Sequence, residues 1–241
     1  MFSVCAAYAQ LSVSPSKVMI KASPNDTLTS SFTVTNLYDG DVTVDVITQD
    51  WHSYEGNGKL DINSWLIMSP TKLTLAKGET KYVTFTVKTN KSMKGSISGQ
   101  VTFSLRPPGN NVLVVKMSFP IYLTIDGTEK VSYSINTVAF NKSDNNNILA
   151  IFSVKNDGNV HIRPTGNIKV YDSNNKAVYI GEIPESYPVY ADSTRGGLIA
   201  AIPVSVLQPG KYTVEINLNM LGKSATKKAQ FRLEKDGTIV Q

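Results

Sequence analysis

The strongest constraint on this chain is a strand that it writes twice. Phe32-Thr33-Val34-Thr35-Asn36 runs into Leu37-Tyr38-Asp39-Gly40, and Phe152-Ser153-Val154-Lys155-Asn156 runs into Asp157-Gly158-Asn159. Each copy alternates large apolar with small or polar residues, as a strand with one buried face must, and each stops at an Asn and a Gly-containing turn. The second copy begins 120 residues after the first, Phe32 to Phe152, about the length of one β-sandwich domain. A second pair supports the duplication. Leu75-Ala76-Lys77-Gly78 precedes Tyr82 and an alternating run over 83–87, and Leu207-Gln208-Pro209-Gly210 precedes Tyr212 and a run over 214–218. In both, an apolar residue enters a Gly turn and a Tyr opens the next strand, so Tyr82 and Tyr212 are expected to close a sandwich corner through their hydroxyls.

Helical periodicity is almost absent between these landmarks. Short alternating runs separated by Gly, Asn, Asp and Pro dominate, which predicts an all-β chain of two immunoglobulin-like β-sandwich domains in tandem. Residues 11–20 read as a first strand, interrupted by Pro15, which suits an edge or a switch between sheets. Further strands are expected over 27–36, 41–51, 65–69, 73–75, 81–87 and 99–105. The run over 112–125 is longer: Leu113, Val115, Met117, Phe119, Ile121, Leu123 and Ile125 all stand at period 2. It predicts one long strand with a continuous apolar face, less one ladder donor at Pro120. Residues 126–130 read as a linker. The expected domains are therefore 11–126 and 131–235, the second with strands over 138–140, 147–156, 166–172, 177–183, 197–204, 210–218 and 229–233.

Composition narrows the function classes. An apolar share of 41% in 241 residues is enough for two real cores. The net charge of +5 comes from lysines spread along the chain, so nothing favours nucleic acid as a partner. Cys5 is the only cysteine. It lies in residues 1–10, where Ala7-Tyr8-Ala9 fits the small-x-small rule for signal peptidase, with cleavage before Gln10. Those residues are read as the remnant of a signal peptide, which implies an exported chain whose cores hold by packing without disulfides. The two histidines, His52 and His161, fall in different expected domains with no nucleophile or paired acid placed beside them. An enzyme is therefore not expected, nor a metal, cofactor or small-molecule substrate. Asp39-Gly40-Asp41 and residues 144–147 read as turns, and Gly95-Ser96-Ile97-Ser98-Gly99 lacks the Lys-Ser/Thr ending of a phosphate loop.

One ordered set of motifs resembles a known family. Val13-Ser14-Pro15-Ser16-Lys17-Val18, the strand ending at Asn36, Trp51, the segment from Trp65 to Pro70 and the turn from Leu75 to Glu79 follow one another as in periplasmic chaperones of the chaperone–usher pilus pathway. The resemblance covers about residues 11–126. It implies that the last strand of the first domain lends alternate apolar side chains to a pilus subunit's incomplete sandwich, by β-strand addition. By position, Leu113, Val115 and Met117 match the donor side chains. Lys17 matches the basic residue that, with a second Lys in the last strand, holds the subunit's C-terminal carboxylate. Here the chain departs from the pattern: Tyr122 stands roughly where the second Lys belongs, and the nearest lysine, Lys116, lies six residues earlier. The partners implied are subunits of a pilus or surface fibre, with an outer-membrane usher as a further partner. The location implied is the periplasm. The second half, with Val154-Lys155-Asn156-Asp157-Gly158-Asn159 and Leu207-Gln208-Pro209-Gly210-Lys211-Tyr212, also resembles the paired Ig-like domains of secreted bacterial surface proteins such as the WxL-associated group. That resemblance implies the alternative of a structural or adhesive cell-surface protein.

Overall fold

The computed structural model describes residues 10–53, 55–109 and 113–241, so the stretch read as a signal-peptide remnant lies, apart from Gln10, outside the described residues. The chain forms two compact units divided between Thr128 and Glu129, and each is a sandwich of two β-sheets. Unit 1 holds β1 (Leu11–Ser14), β2 (Val18–Ala22), β3 (Thr27–Asn36), β4 (Val42–Ser53), β5 (Leu66–Ser69), β6 (Lys72–Leu75), β7 (Thr80–Lys88), β8 (Ser96–Leu105) and β9 (Val115–Ile125). One sheet runs β1-β3-β7-β5 and the other β2-β9-β8-β4-β6. The alternating positions meet between them: Phe32, Val34, Val83 and Phe85 from one sheet pack toward Val44, Val101, Phe103 and Ile121 from the other. Four phenylalanines centre this core. Phe32 lies 5.4 Å from Phe85, 5.5 Å from Phe103 and 6.1 Å from Phe119 between ring centroids, in tilted or edge-on geometries that exploit the ring quadrupoles.

The interruption at Pro15 is a switch between sheets. β1 pairs antiparallel with the last four residues of β3, Leu11 opposite Asn36 and Ser14 opposite Thr33. After the bend at residues 15–17, β2 lies in the other sheet, parallel to the second half of β9, with Val18 opposite Ile121 and Ala22 opposite Ile125. Pro15 cannot donate to a ladder and pre-sets its own φ, so the chain leaves one sheet there without orphaning a donor.

Unit 2 repeats the plan with β10 (Tyr133–Lys142), β11 (Asn147–Asn156), β12 (Gly166–Tyr171), β13 (Ala177–Ile183), β14 (Ser193–Pro203), β15 (Gly210–Met220), β16 (Lys223–Leu233) and β17 (Ile239–Val240). Its sheets are ordered β10-β11-β14 and β13-β12-β15-β16-β17. The strands expected over 27–36, 147–156 and 177–183 are those observed. The strand expected from 112 starts instead at Val115, opposite Leu105. Its partner β8 ends at Leu105 and passes into Arg106-Pro107-Pro108, where the prolines cannot continue a ladder. Leu113 is accordingly outside the strand and 51% exposed, and Val112 lies outside the described residues.

The duplicated Asn is a clamp. Asn36 is fully buried. Its side-chain amide donates to the carbonyls of Gly40 (2.9 Å), Leu75 (3.1 Å) and Ala76 (3.1 Å), while its Oδ1 accepts from the Tyr38 backbone N–H (2.9 Å). Asn156, also fully buried, donates to Val160 O (2.7 Å) and Val189 O (3.0 Å) and accepts from Gly158 N (3.0 Å). Each Asn thus ties the turn that follows its strand to a second loop, satisfying backbone groups that burial would otherwise orphan. The Gly of the second copy is required by a close approach: a Cβ on Gly158 would stand 2.2 Å from Lys130 O. The corner expectation holds in one copy only. The Tyr212 hydroxyl donates to Gln208 O (2.6 Å) and accepts from Gln208 N (2.8 Å). Tyr82 is 67% exposed, because Val83 takes the inward position and its neighbour must face out; Glu79 bridges that turn instead, its carboxylate accepting from Ala76 N at 2.8 Å.

Two stability changes are expected from these contacts. Asn36→Ala leaves several buried backbone groups without partners and should cost unit 1 about 3 kcal/mol, whereas Tyr212→Phe should cost unit 2 about 1 kcal/mol. Urea unfolding followed separately in the two units measures both.

Candidate functional site

β9 lies between two neighbours for only part of its length. On one side it pairs with β8 from Val115 to Thr124. On the other, β2 covers only Ile121 to Ile125. Among the described residues, nothing pairs with 115–120 on that side, which leaves a free strand edge with backbone groups available to another strand. The sheet switch at Pro15 creates this opening, because the chain that would cover the first half of β9 is spent as β1 in the opposite sheet.

The free half is apolar on its inner face. Val115, Met117 and Phe119 stand opposite Leu105, Phe103 and Val101, all of them buried. Val115 and Met117 are only half-buried and pack on the core from its rim. Phe119 is 8% exposed and sits edge-on to Phe103 at 5.8 Å, so the aromatic cluster holds it in place. The outer face is polar at this level. Lys116 and Ser118 face Ser104 and Thr102, with Ser118 Oγ 2.8 Å from Thr102 Oγ1. Pro120 ends the free half and supplies no donor there.

The switch leaves a second free half-edge diagonally opposite. β1 covers only residues 33–36 of β3, so among the described residues nothing pairs with 27–32 on that side. The inward register there carries Leu28, Ser30 and Phe32, opposite Val87, Phe85 and Val83. Leu28 and Ser30 are exposed, so that edge offers a polar break where β9 offers Met117.

The structure distributes the residues singled out from sequence as follows. Val115 and Met117 share the inner face of the free half of β9. Lys116 is between them on the outer face, exposed. Leu113 precedes the strand. Lys17 is not in a strand: it occupies the bend between β1 and β2, directly before Val18. Because Val18 pairs with Ile121, Lys17 stands level with Pro120, at the point where the edge of β9 becomes free. At ~3.3 Å per residue, the backbone of Lys116 lies roughly 13 Å further along. Tyr122, by contrast, is buried, next to Trp51 at 6.4 Å between ring centroids. Nearby, Lys21 Nζ pairs with Asp126 at 2.7 Å, and the hydrogen bond from that ammonium holds the Asp126 carboxyl below the usual carboxylate range. His52 and His161 lie in separate units, and among the described residues no group of three or more His, Cys, Asp or Glu could hold a metal. Phe119, which sequence reasoning left out of the site, belongs to the inner face of the free half. The same period-2 register that marked Val115 and Met117 also marks it.

If the edge is free, the backbone amides of 115–119 should exchange with solvent at least roughly tenfold faster, on average over the segment, than those of 121–125. Hydrogen-exchange mass spectrometry of the intact chain reads this directly. Equal protection of both halves would contradict it.

No family model matches the chain, and no curated protein matches it. Solved structures do. The class 5 fimbriae chaperone CfaA aligns over 91% of this chain and 98% of its own at 15% identity, with a TM-score of 0.52. A structure described as a chaperone–tip adhesin complex vital for synergistic activation of CFA/I fimbriae biogenesis aligns with a TM-score of 0.51, at 15% identity over 91% of this chain and 98% of that one. The YadV chaperone aligns with a TM-score of 0.51, at 12% identity over 92% of this chain and 99% of its own. The tandem sandwiches described above are thus the two-domain immunoglobulin-like fold of solved fimbrial chaperones.

Proposed function

We propose that the protein is a chaperone for subunits of a pilus or surface fibre, and that it binds them by β-strand addition at the free half of β9. The observation that carries this reading is the half-covered strand itself. Its uncovered residues present backbone groups on the edge and Val115, Met117 and Phe119 toward the core, the two features that strand addition needs for affinity and for register. The fold shared with fimbrial chaperones supports the same reading. An incoming subunit that lacks one strand of its own sandwich would complete its sheet against β9 and cover Val115 and Met117, gaining ladder hydrogen bonds together with apolar burial. In this reading Lys17, level with the end of the free half, meets a carboxylate at the limit of such a strand, with Lys116 on the outer face further along. In this reading the protein works in the periplasm, with an outer-membrane usher receiving the loaded complex. No helix among the described residues is long and apolar enough to cross a membrane.

The test is capture of partners from periplasm by the tagged full chain, with the captured proteins identified. Wild type should recover small β-rich fibre subunits, and residues 115–120 should gain hydrogen-exchange protection in the recovered complex. Val115→Glu combined with Met117→Glu should reduce recovery at least roughly a hundredfold, because adding a strand would bury both carboxylates. Lys116→Glu, on the outer face, should reduce it far less. Recovery by a correctly folded Val115→Glu, Met117→Glu protein equal to that of wild type would overturn the reading.

A further inference from the structure

Unit 2 has a free strand edge of its own, and its chemistry is the reverse of that on β9. β16 pairs with β15 along its whole length, from Lys223 opposite Met220 to Leu233 opposite Gly210. On its other side, β17 covers only Arg232 and Leu233. Residues 223–231 thus have no ladder partner on that side among the described residues.

The inward register of β16 is fixed by its partner. Met220, Leu218, Ile216, Val214 and Tyr212 of β15 are all buried, and Lys223, Ala225, Lys227, Ala229 and Phe231 stand opposite them. Lys227 therefore occupies a core-facing position directly across from fully buried Ile216, yet it is exposed. Its ammonium reaches water, and among the described residues no strand pairs with β16 on that side at this level. Ion pairs in unit 2 join Lys155 to Asp157, Arg163 to Glu185, Lys228 to Glu215 and Arg232 to Glu234, and Lys227 belongs to none of these. Where β17 does cover the edge, the inward residue is Leu233, large and apolar. Along the open edge beyond Phe231, the inward stripe turns to Ala and Lys, with Ala229, Lys227, Ala225 and Lys223.

From this juxtaposition we infer that Lys227 is a guard residue. It bars strand addition at β16. A strand docked on β16 would enclose the Lys227 position within the sandwich and strip water from an ammonium that has no carboxylate partner. Burying an unpaired charge outweighs the ladder hydrogen bonds that the new strand would bring, and inward-pointing lysine on an edge strand is a recognised way to block pairing. The neighbouring edge is blunted by other means. On β10, Gln241 caps Phe140, its Oε1 accepting from Phe140 N (3.1 Å) and its Nε2 donating to Phe140 O (2.9 Å). β10 also carries a register shift between Ile135 and Val138, which bends the strand.

The occupant kept out in the first instance is a second copy of the chain, since two β16 edges can pair antiparallel across a twofold axis. The inference does not depend on the reading of β9, and its test does not involve fibre subunits. Sedimentation velocity of the full chain should show that Lys227→Ile raises the self-association constant at least roughly tenfold over wild type, with slowed hydrogen exchange confined to residues 223–231. Lys227→Thr, neutral but polar, should show a smaller increase in the same direction. Two controls should behave as wild type: Lys227→Glu, which keeps a charge in the inward register, and Gln230→Ile, which adds the same apolar group on the outward face. The inference is overturned if Lys227→Ile and Lys227→Thr fold as wild type does and self-associate no more strongly. It is equally overturned if either control self-associates as Lys227→Ile does.

Discussion

The buried amide of Asn36 is the constraint on which the rest of unit 1 depends. A fully buried side-chain amide needs partners for both its donors and its acceptor, and Asn36 finds them only if three separate stretches meet at the end of β3. Those stretches are its own turn, the carbonyl end of β6 and the turn into β7. Fixing β6 there sets Leu75 opposite Val42 on β4, which in turn sets Val44 opposite Leu105 on β8 and Leu105 opposite Val115 on β9. The chain of registers that begins at a hydrogen-bonded asparagine therefore ends at the first residue of the free edge. Asn156 plays the corresponding part in unit 2, bridging its own turn to Val189. The two copies are scaffold of the same kind, and what distinguishes the units is how their edges are treated.

The second constraint is arithmetic. One N-terminal segment serves two sheets, so it can cover each of them only in part. β1 closes the end of β3 nearest the clamp and β2 closes the far end of β9. Half an edge is left over on each sheet, at opposite ends. Side-chain chemistry then decides what each remainder can do. Leu28 and Ser30 leave the β3 remainder with a polar gap in its inward stripe, whereas Val115, Met117 and Phe119 give the β9 remainder an unbroken one.

What could be read from the sequence follows from which forces are local. β3, β11 and β13 were legible from end to end because a period of two and the turn residues at each boundary act within a few positions. The apolar stripe of β9 was legible for the same reason. Its starting point was not: the alternation continues through Leu113, and only the end of β8, more than a turn away in sequence, decides where pairing stops. Tyr82 failed as a corner residue because β7 turns Val83 inward and so faces its neighbour Tyr82 to solvent, whereas β15 turns Tyr212 itself inward. The first half of β16 was missed because Lys223, Ala225 and Lys227 carry no large apolar alternation, and it forms a strand because β15 supplies the ladder and the core. The free edge itself was invisible. An edge is defined by the strand that is absent beside it, and no residue of β9 records how far β2 reaches.

A free edge lined with apolar side chains is also a hazard, since any exposed strand could pair with it. Several features of β9 restrain that without closing it. The free stretch is short and ends at Pro120, which can offer no N–H to extend a foreign ladder. Lys116 stands exposed within it, unfavourable beside a second basic edge and tolerable beside a neutral or acidic one. Phe119 is gripped by Phe32 and Phe103, so the inner face is preorganised at its deep end and only half-buried at Val115 and Met117. β16 carries a longer open edge, with lysine in the inward register. Both edges run beside well-ordered sheets with buried cores. The two edges therefore differ in the inward register: half-buried Met117 on β9 against exposed Lys227 on β16.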